Sequence, residues 1–257
     1  LKTGDWYIES AKAAMEAGSM RYAGKYSAPD YEAILESGCD LAIENTMIYH
    51  TPEVIEQLQT TGVPVLVERS SYESSPLGRI EWLKLYGALV GKEDLACSQY
   101  DELLAALSPI LDQEASGQTV AFFYINSSGA VNVRKSGDYI AKAIRMAGGE
   151  YVSFDESGEE NALSTMTIQM ESFYDTALDA DVLIYNSTID GGITSIDELL
   201  AKSPLFADFK AVQTGNVWCI TKNFYQESLA LGDMILDVHA VLNNPDAADL
   251  RFLKKLS

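Results

Sequence analysis

The chain has 257 residues, 47% of them hydrophobic, and a formal net charge of −20. That length can bury one large core or two smaller ones. The acidic surplus excludes nucleic acid as a partner, since phosphate binding needs Lys and Arg in excess, and no apolar run reaches the ~18 residues of a membrane-crossing helix.

In chain order, helix and strand patterns alternate from the start. A helix is expected over 6–17, stopped by Gly18, and a short strand over 20–22. Pro29 and Asp30 open a helix that runs to Ser37 and ends at Gly38. Residues 41–43 read as a strand, 52–60 as a helix stopped at Gly62, and 64–67 as the next strand.

A long helical pattern follows in two parts, 77–90 and 92–115, broken by Gly91. In the second part Ala96, Tyr100, Leu103, Leu104, Leu107, Ile110 and Leu111 recur at helical spacing, so one face is apolar. Roughly 36 Å of helix is enough to span two lobes. Pro109 should kink its last turns.

The alternation then resumes. Strands are expected over 119–125, 151–154, 182–185 and 217–220, and helices over 139–147, 170–177, 196–201 and 225–242. Residues 155–161 read as an acidic surface loop. Short loops between alternating elements point to βα units and parallel sheets. The fold expected is α/β: two lobes with mostly parallel sheets joined by a single long helix. Its divisions are an N-terminal lobe at 1–91, the linking helix at 92–116 and a C-terminal lobe at 117–257. The first lobe opens on a helix and holds one strand fewer than the second, so an opening piece is expected before Leu1.

Ligands of open α/β sheets bind beyond the carboxyl ends of the strands, which selects the loops that matter. Those loops carry Lys25 and Tyr26; Asn45 and Tyr49; Arg69, Tyr72 and Arg79; Asn132 and Arg134; Asn186 and Thr188; and Phe224 and Tyr225. Aromatic rings supply flat apolar area with a hydroxyl handle, and Arg and Lys hold anionic oxygens. Each has a plainer reading. Lys25 and Arg134 also fit solvated surface charges, Arg79 fits a partner for Glu73 or Glu81, and Trp82 and Tyr86 fit helix core.

Catalysis has little to stand on. His50 and His239 are the two histidines, and no HExxH, GxSxG, Walker or GxGxxG pattern occurs. Cys39, Cys97 and Cys219 lie far apart in apolar contexts and read as buried thiols. The chain is read as no enzyme, with no catalytic residues, no resident metal and no cofactor; an α/β hydrolytic enzyme using His50 stands as the alternative.

Three segments carry a resemblance: YAGKYSAPDYEAILESGCDLAIENT at 22–46, TPEVIEQLQTTGVPVLVERSSYESSPLGRIEWLKLYGALVGKED at 51–94, and NVWCITKNFYQESLALGDMILDVHAVL at 216–242. They resemble the substrate-binding proteins of ABC importers for iron complexes, haem and cobalamin. The resemblance implies two lobes on one hinge helix, a ligand held between them, and delivery to a membrane permease. It further implies an extracytoplasmic address with a lipid anchor outside this chain, and acidic docking residues on each lobe, here Glu32 and Glu171. A ferric siderophore is the leading cargo. Haem, with Tyr49, His50 or Tyr72 as axial ligand, and cobalamin are the alternatives.

Overall fold

The computed structural model describes residues 1–155, 165–189 and 192–257. It divides into two compact units, Leu1–Tyr72 and Glu73–Ser257. The helix pair after Tyr72 packs into the second unit.

The first unit contains α1 (Glu9–Glu16), β1 (Gly24–Lys25), β2 (Ala28–Pro29), α2 (Tyr31–Glu36), β3 (Ala42–Asn45), α3 (Pro52–Thr60) and β4 (Val65–Glu68). The strand expected at 20–22 is replaced by the antiparallel hairpin of β1 and β2. Gly24 makes that hairpin possible: its φ is 95°, and a Cβ there would sit 2.5 Å from the Ala28 carbonyl oxygen. The Asp30 carboxylate caps α2 by accepting from the Ala33 amide at 3.0 Å, and Pro52 starts α3 where no amide is needed. β3 and β4 pair in parallel with Asn45 opposite Glu68. Val54 and Leu58, one helical turn apart on α3, close over Ile48 and Val63 to make the core.

The second unit opens with α4 (Pro76–Leu89) and α5 (Glu93–Leu111), an antiparallel hairpin turned at Gly91. α5 stops two residues past Pro109, short of the expected 115, where proline withdraws a backbone donor. Its buried stripe, Ala96, Tyr100, Leu107 and Ile110, follows the predicted period. The hairpin is tight at Gly87, where a Cβ would meet the Ala96 Cβ at 2.4 Å. Gly87→Ala is therefore expected to destabilise the unit by about 1–3 kcal/mol despite better helix propensity. Chemical denaturation of that variant and of the double variant with Ala96→Gly checks it; the second change should restore most of the loss.

One sheet then organises β5 (Thr119–Ile125), β6 (Val131–Arg134), β7 (Glu150–Tyr151), β8 (Thr165–Ile168), β9 (Val182–Tyr185), β10 (Val217–Ile220) and β11 (Leu253–Lys255). The order is β11-β10-β9-β5-β6-β8, with β7 beside the first residues of β5. β7, β5, β9 and β10 run parallel; β6 reverses direction beside β5, β8 reverses again beside β6, and β11 pairs antiparallel with β10.

Between strands lie α6 (Tyr139–Met146), α7 (Met170–Ala177), α8 (Ile196–Lys202), α9 (Lys210–Gln213) and α10 (Leu231–Asn243). α4, α5, α6 and α10 cover the face bearing Val120, Phe122, Ile184 and Trp218. On the opposite face Phe123 stacks into a ring cluster with Phe173, Phe206 and Phe209, at centroid distances from 4.6 to 6.1 Å. Covered on both sides, the central strands are apolar without interruption, as in VLIY and VWCI.

Several expectations need correction. Asn132 and Arg134 stand on β6, not in a loop, because Asn126–Gly129 turns β5 back on itself: the Gly129 amide donates to the Asn126 carbonyl at 3.0 Å. The strand expected over 151–154 is shortened to Glu150–Tyr151, and β8 and β11 are additions. The closing helix begins at Leu231, so Phe224 and Tyr225 occupy a 3-10 turn. Cys219 is buried, but Cys39 and Cys97 are only half-buried; all three are free thiols. Of the acidic loop expected over 155–161, all but Asp155 lies outside the described residues. Among the described residues no helix is long and apolar enough to cross a membrane.

Candidate functional site

In the second unit, β6 delivers the central residue. Alternation along the strand puts Asn132 and Arg134 on the face opposite buried Val131 and Val133. The Tyr151 hydroxyl locks the strand end: it accepts from the Arg134 amide at 3.1 Å and donates to the Arg134 carbonyl at 2.6 Å. The turn into α6 is pinned by Asp155, whose carboxylate accepts from the Ser136 amide at 2.9 Å and hydroxyl at 3.1 Å. Burial raises the Asp155 carboxyl, but these donors outweigh it and hold it below the usual carboxylate range.

The Arg134 guanidinium, only 14% exposed, lies 3.5 Å from the Asp138 carboxylate and donates to the Tyr225 hydroxyl. Asp138 also caps α6 by accepting from the Ile140 amide at 2.9 Å. Burial pushes the Asp138 carboxyl up while Arg134 pulls it down, and burial prevails. Burial likewise raises the Tyr139 phenol, so it stays protonated. Arg79 lies over the Tyr139 ring at 3.7 Å from its centroid, close enough for a cation–π contact. Its Nε donates to the Glu73 backbone carbonyl at 3.0 Å. From the end of β9, Asn186 donates to the Tyr225 hydroxyl at 3.3 Å. Arg79, Tyr139, Phe224, Tyr225, Ser228 and Leu231 line a pocket of about 30 Å³.

A larger cleft of about 460 Å³ lies elsewhere on this unit, walled by α4, α5 and α10 and including Tyr100, Leu103, Asp233 and Arg251. Its arginine is already bridged to Asp233 and Glu227. Size favours that cleft, but the chemistry for an anionic ligand sits at the small pocket.

Five of the residues singled out in the sequence therefore converge: Arg79, Arg134, Asn186, Phe224 and Tyr225. Asn132 stays apart from them, tied across the sheet by the Thr167 hydroxyl, which donates to its side-chain oxygen at 2.8 Å. Tyr139 and Asp138 escaped sequence reasoning because the start of a helix masks its side chains; an aspartate directly ahead of the apolar helix pattern was the available signal.

The remaining residues, Thr188 and Glu171 apart, lie in the first unit. Asn45 spends its side-chain oxygen on the Met47 amide at 2.8 Å, capping the 3-10 turn Thr46–His50. Tyr49 and Tyr72 are 53% and 54% exposed, and Arg69 lies 5.2 Å from the Tyr72 ring centroid. Lys25 is exposed on β1, whereas Tyr26 packs partly against the core. Burial raises the Glu44 carboxyl on β3. Glu32 and Glu171 are exposed in the first turns of α2 and α7.

Residues 7–223 match the family model for periplasmic binding proteins. The chain belongs to that family. It is 26% identical over 254 residues to an uncharacterized lipoprotein of Methanocaldococcus jannaschii, covering 96% of this chain and 58% of the relative. The chain thus spans about half the length of the curated relatives it matches, at 58% and 44%. Among solved structures, a periplasmic heme-binding protein from Pseudomonas aeruginosa superposes with a TM-score of 0.67 at 19% identity, covering 95% of this chain and 86% of that one. A periplasmic heme-binding protein of Vibrio cholerae gives a TM-score of 0.67 at 18% identity, covering 86% and 84%. At these identities the structures share the fold with this chain.

Proposed function

We propose that this periplasmic binding protein carries an iron chelate, with a ferric siderophore as the leading cargo, to the permease of an ABC importer. The observation that carries the reading is the cluster of Arg79, Arg134, Tyr139 and Tyr225, a concentration of cations and rings in a chain of net charge −20. Such a surface suits the anionic oxygens and flat apolar parts of a metal chelate. Its address is extracytoplasmic, with a lipid anchor outside this chain, in keeping with lipoprotein relatives. Within the first unit itself, Lys25, Tyr26, Tyr49, Arg69 and Tyr72 are the ligand-contact candidates. Exposed Glu32 and Glu171 are the docking residues for permease arginines.

Haem is the second reading. It is favoured by Tyr49 and Tyr72, whose exposed phenols suit axial ligation, and by the heme-binding names of the solved neighbours.

Thermal-shift and absorbance titrations with a ferric trihydroxamate, a ferric triscatecholate, haem and cobalamin test both. At a ligand concentration a hundredfold above Kd the cargo should add about 2.7 kcal/mol of stability and be recovered chemically intact. Turnover of the ligand would replace the carrier reading with an enzyme. Charge reversal at Glu32 and Glu171 together should abolish uptake and leave affinity unchanged; lost affinity would overturn their docking role.

A further inference from the structure

Resting on that carrier reading, we infer that the pocket beside Tyr225 receives a carboxylate of the cargo, with the Tyr225 hydroxyl as its hydrogen-bond donor. The cargo is then a chelate bearing a free carboxylate, and Tyr225 recognises the chelator, not the metal.

The argument begins with the orientation of Asn186. Its side-chain oxygen accepts from the Thr188 amide at 3.3 Å and the Thr188 hydroxyl at 2.6 Å, so its NH₂ group must be the end that faces Tyr225. The Arg134 guanidinium, which has only donors, approaches the same phenol oxygen. A phenol oxygen offers two acceptor sites and one O–H. Both acceptor sites are taken by Arg134 and Asn186. In the neutral phenol the O–H remains, so Tyr225 can donate to an incoming oxygen.

The pocket supports the same chemistry. Tyr225 is 37% exposed, and its hydroxyl is held by Arg134 and Asn186. The volume of about 30 Å³ admits a group of about one water's size, such as a carboxylate oxygen. Among the described residues of its lining Arg79 is the charged one, and Ser228 adds a hydroxyl beside apolar Phe224 and Leu231. In a chain with 38 acidic and 18 basic residues, a lining that among the described residues presents a cation, with Asp138 behind Tyr139, favours an anion.

The test uses matched probes in which the carboxylates are free or methylated: haem and its dimethyl ester, cobyrinic acid and its heptamethyl ester, and a ferric hydroxycarboxylate chelate and its methyl ester. For the pair that binds, the free acid should bind about tenfold or more tightly than the ester, the size of a hydrogen bond to a charged group. In Tyr225→Phe, which keeps the ring, that ratio should fall toward one. A melting curve establishes that this variant is folded, and Arg79→Gln should narrow the ratio independently. Equal affinities for acid and ester, or an undiminished ratio in Tyr225→Phe, would overturn this inference and leave the carrier function standing. Loss of a phenolate-to-iron absorption band in Tyr225→Phe would also overturn it. If no member of any pair binds, and the siderophore and cobalamin titrations are blank as well, the carrier reading falls and this inference with it.

Discussion

Arg134→Ala should unfold the second unit at a markedly lower temperature and remove ligand binding at the same time. Its guanidinium is the cation beside Asp138, a carboxylate only 2% exposed, and the donor that holds Tyr225. Removing one partner of a buried charge pair costs about 3–5 kcal/mol, because the Asp138 carboxyl stays buried and keeps the Ile140 amide but loses its adjacent cation. For a unit of this size that is a fall in Tm of roughly 10 °C. The sign of a second change separates this cause from simple loss of packing. Asp138→Asn keeps an α6 cap while removing the stranded charge. The Arg134→Ala/Asp138→Asn double variant should therefore be more stable than Arg134→Ala alone. Denaturant titration of the four proteins gives the coupling directly, and strictly additive effects would show that the two side chains do not depend on each other.

A comparable loss is expected from Asp237→Ala, for a different reason. Asp237 sits on α10 at 6% exposure, and its carboxylate accepts from the backbone amides of Arg251 at 3.2 Å, Phe252 at 2.6 Å and Leu253 at 3.2 Å. Burial raises this carboxyl, and the three amides pull it back without cancelling the rise. Those amides belong to the segment that leads into β11 and places it against β10. Alanine would leave buried donors without an acceptor, at about 1–3 kcal/mol each before relaxation, so a net loss of about 3–5 kcal/mol is expected. Hydrogen exchange should show Phe252 and Leu253 losing protection before the core of β5 and β9 does. Asp237→Asn, which retains one acceptor oxygen, should lose about half as much. Uniform loss of protection across the sheet would argue against a local clasp.

Much of the fold was legible from period and punctuation. Thr119–Ile125, Met170–Ala177, Val182–Tyr185 and Val217–Ile220 appear at the bounds the pattern predicts. Strands buried on both faces carry uninterrupted apolar runs, and α7 places Phe173 and Ala177 on one stripe. β6 was missed because VNVR is short and half polar, so its pairing with β5 outweighs its own weak pattern. Tyr225 was read into the closing helix, where the segment instead takes two 3-10 turns before Leu231. The tyrosines and arginines were visible as a composition of loops, but their grouping was not.

From the linear order of residues alone came the α/β class, the helix and strand periods, the unsuitability for nucleic acid, and a set of cationic and aromatic candidates. These are local or additive properties: a side chain's spacing from its near neighbours encodes which face is buried, and net charge is a sum. Only the tertiary structure decided that the first unit ends at Tyr72, that Asn45 is a cap, and that Arg134 meets Tyr225 across 91 positions of sequence. Contacts of that kind depend on sheet register and helix packing, which bring together residues whose own neighbourhoods carry no mark of each other.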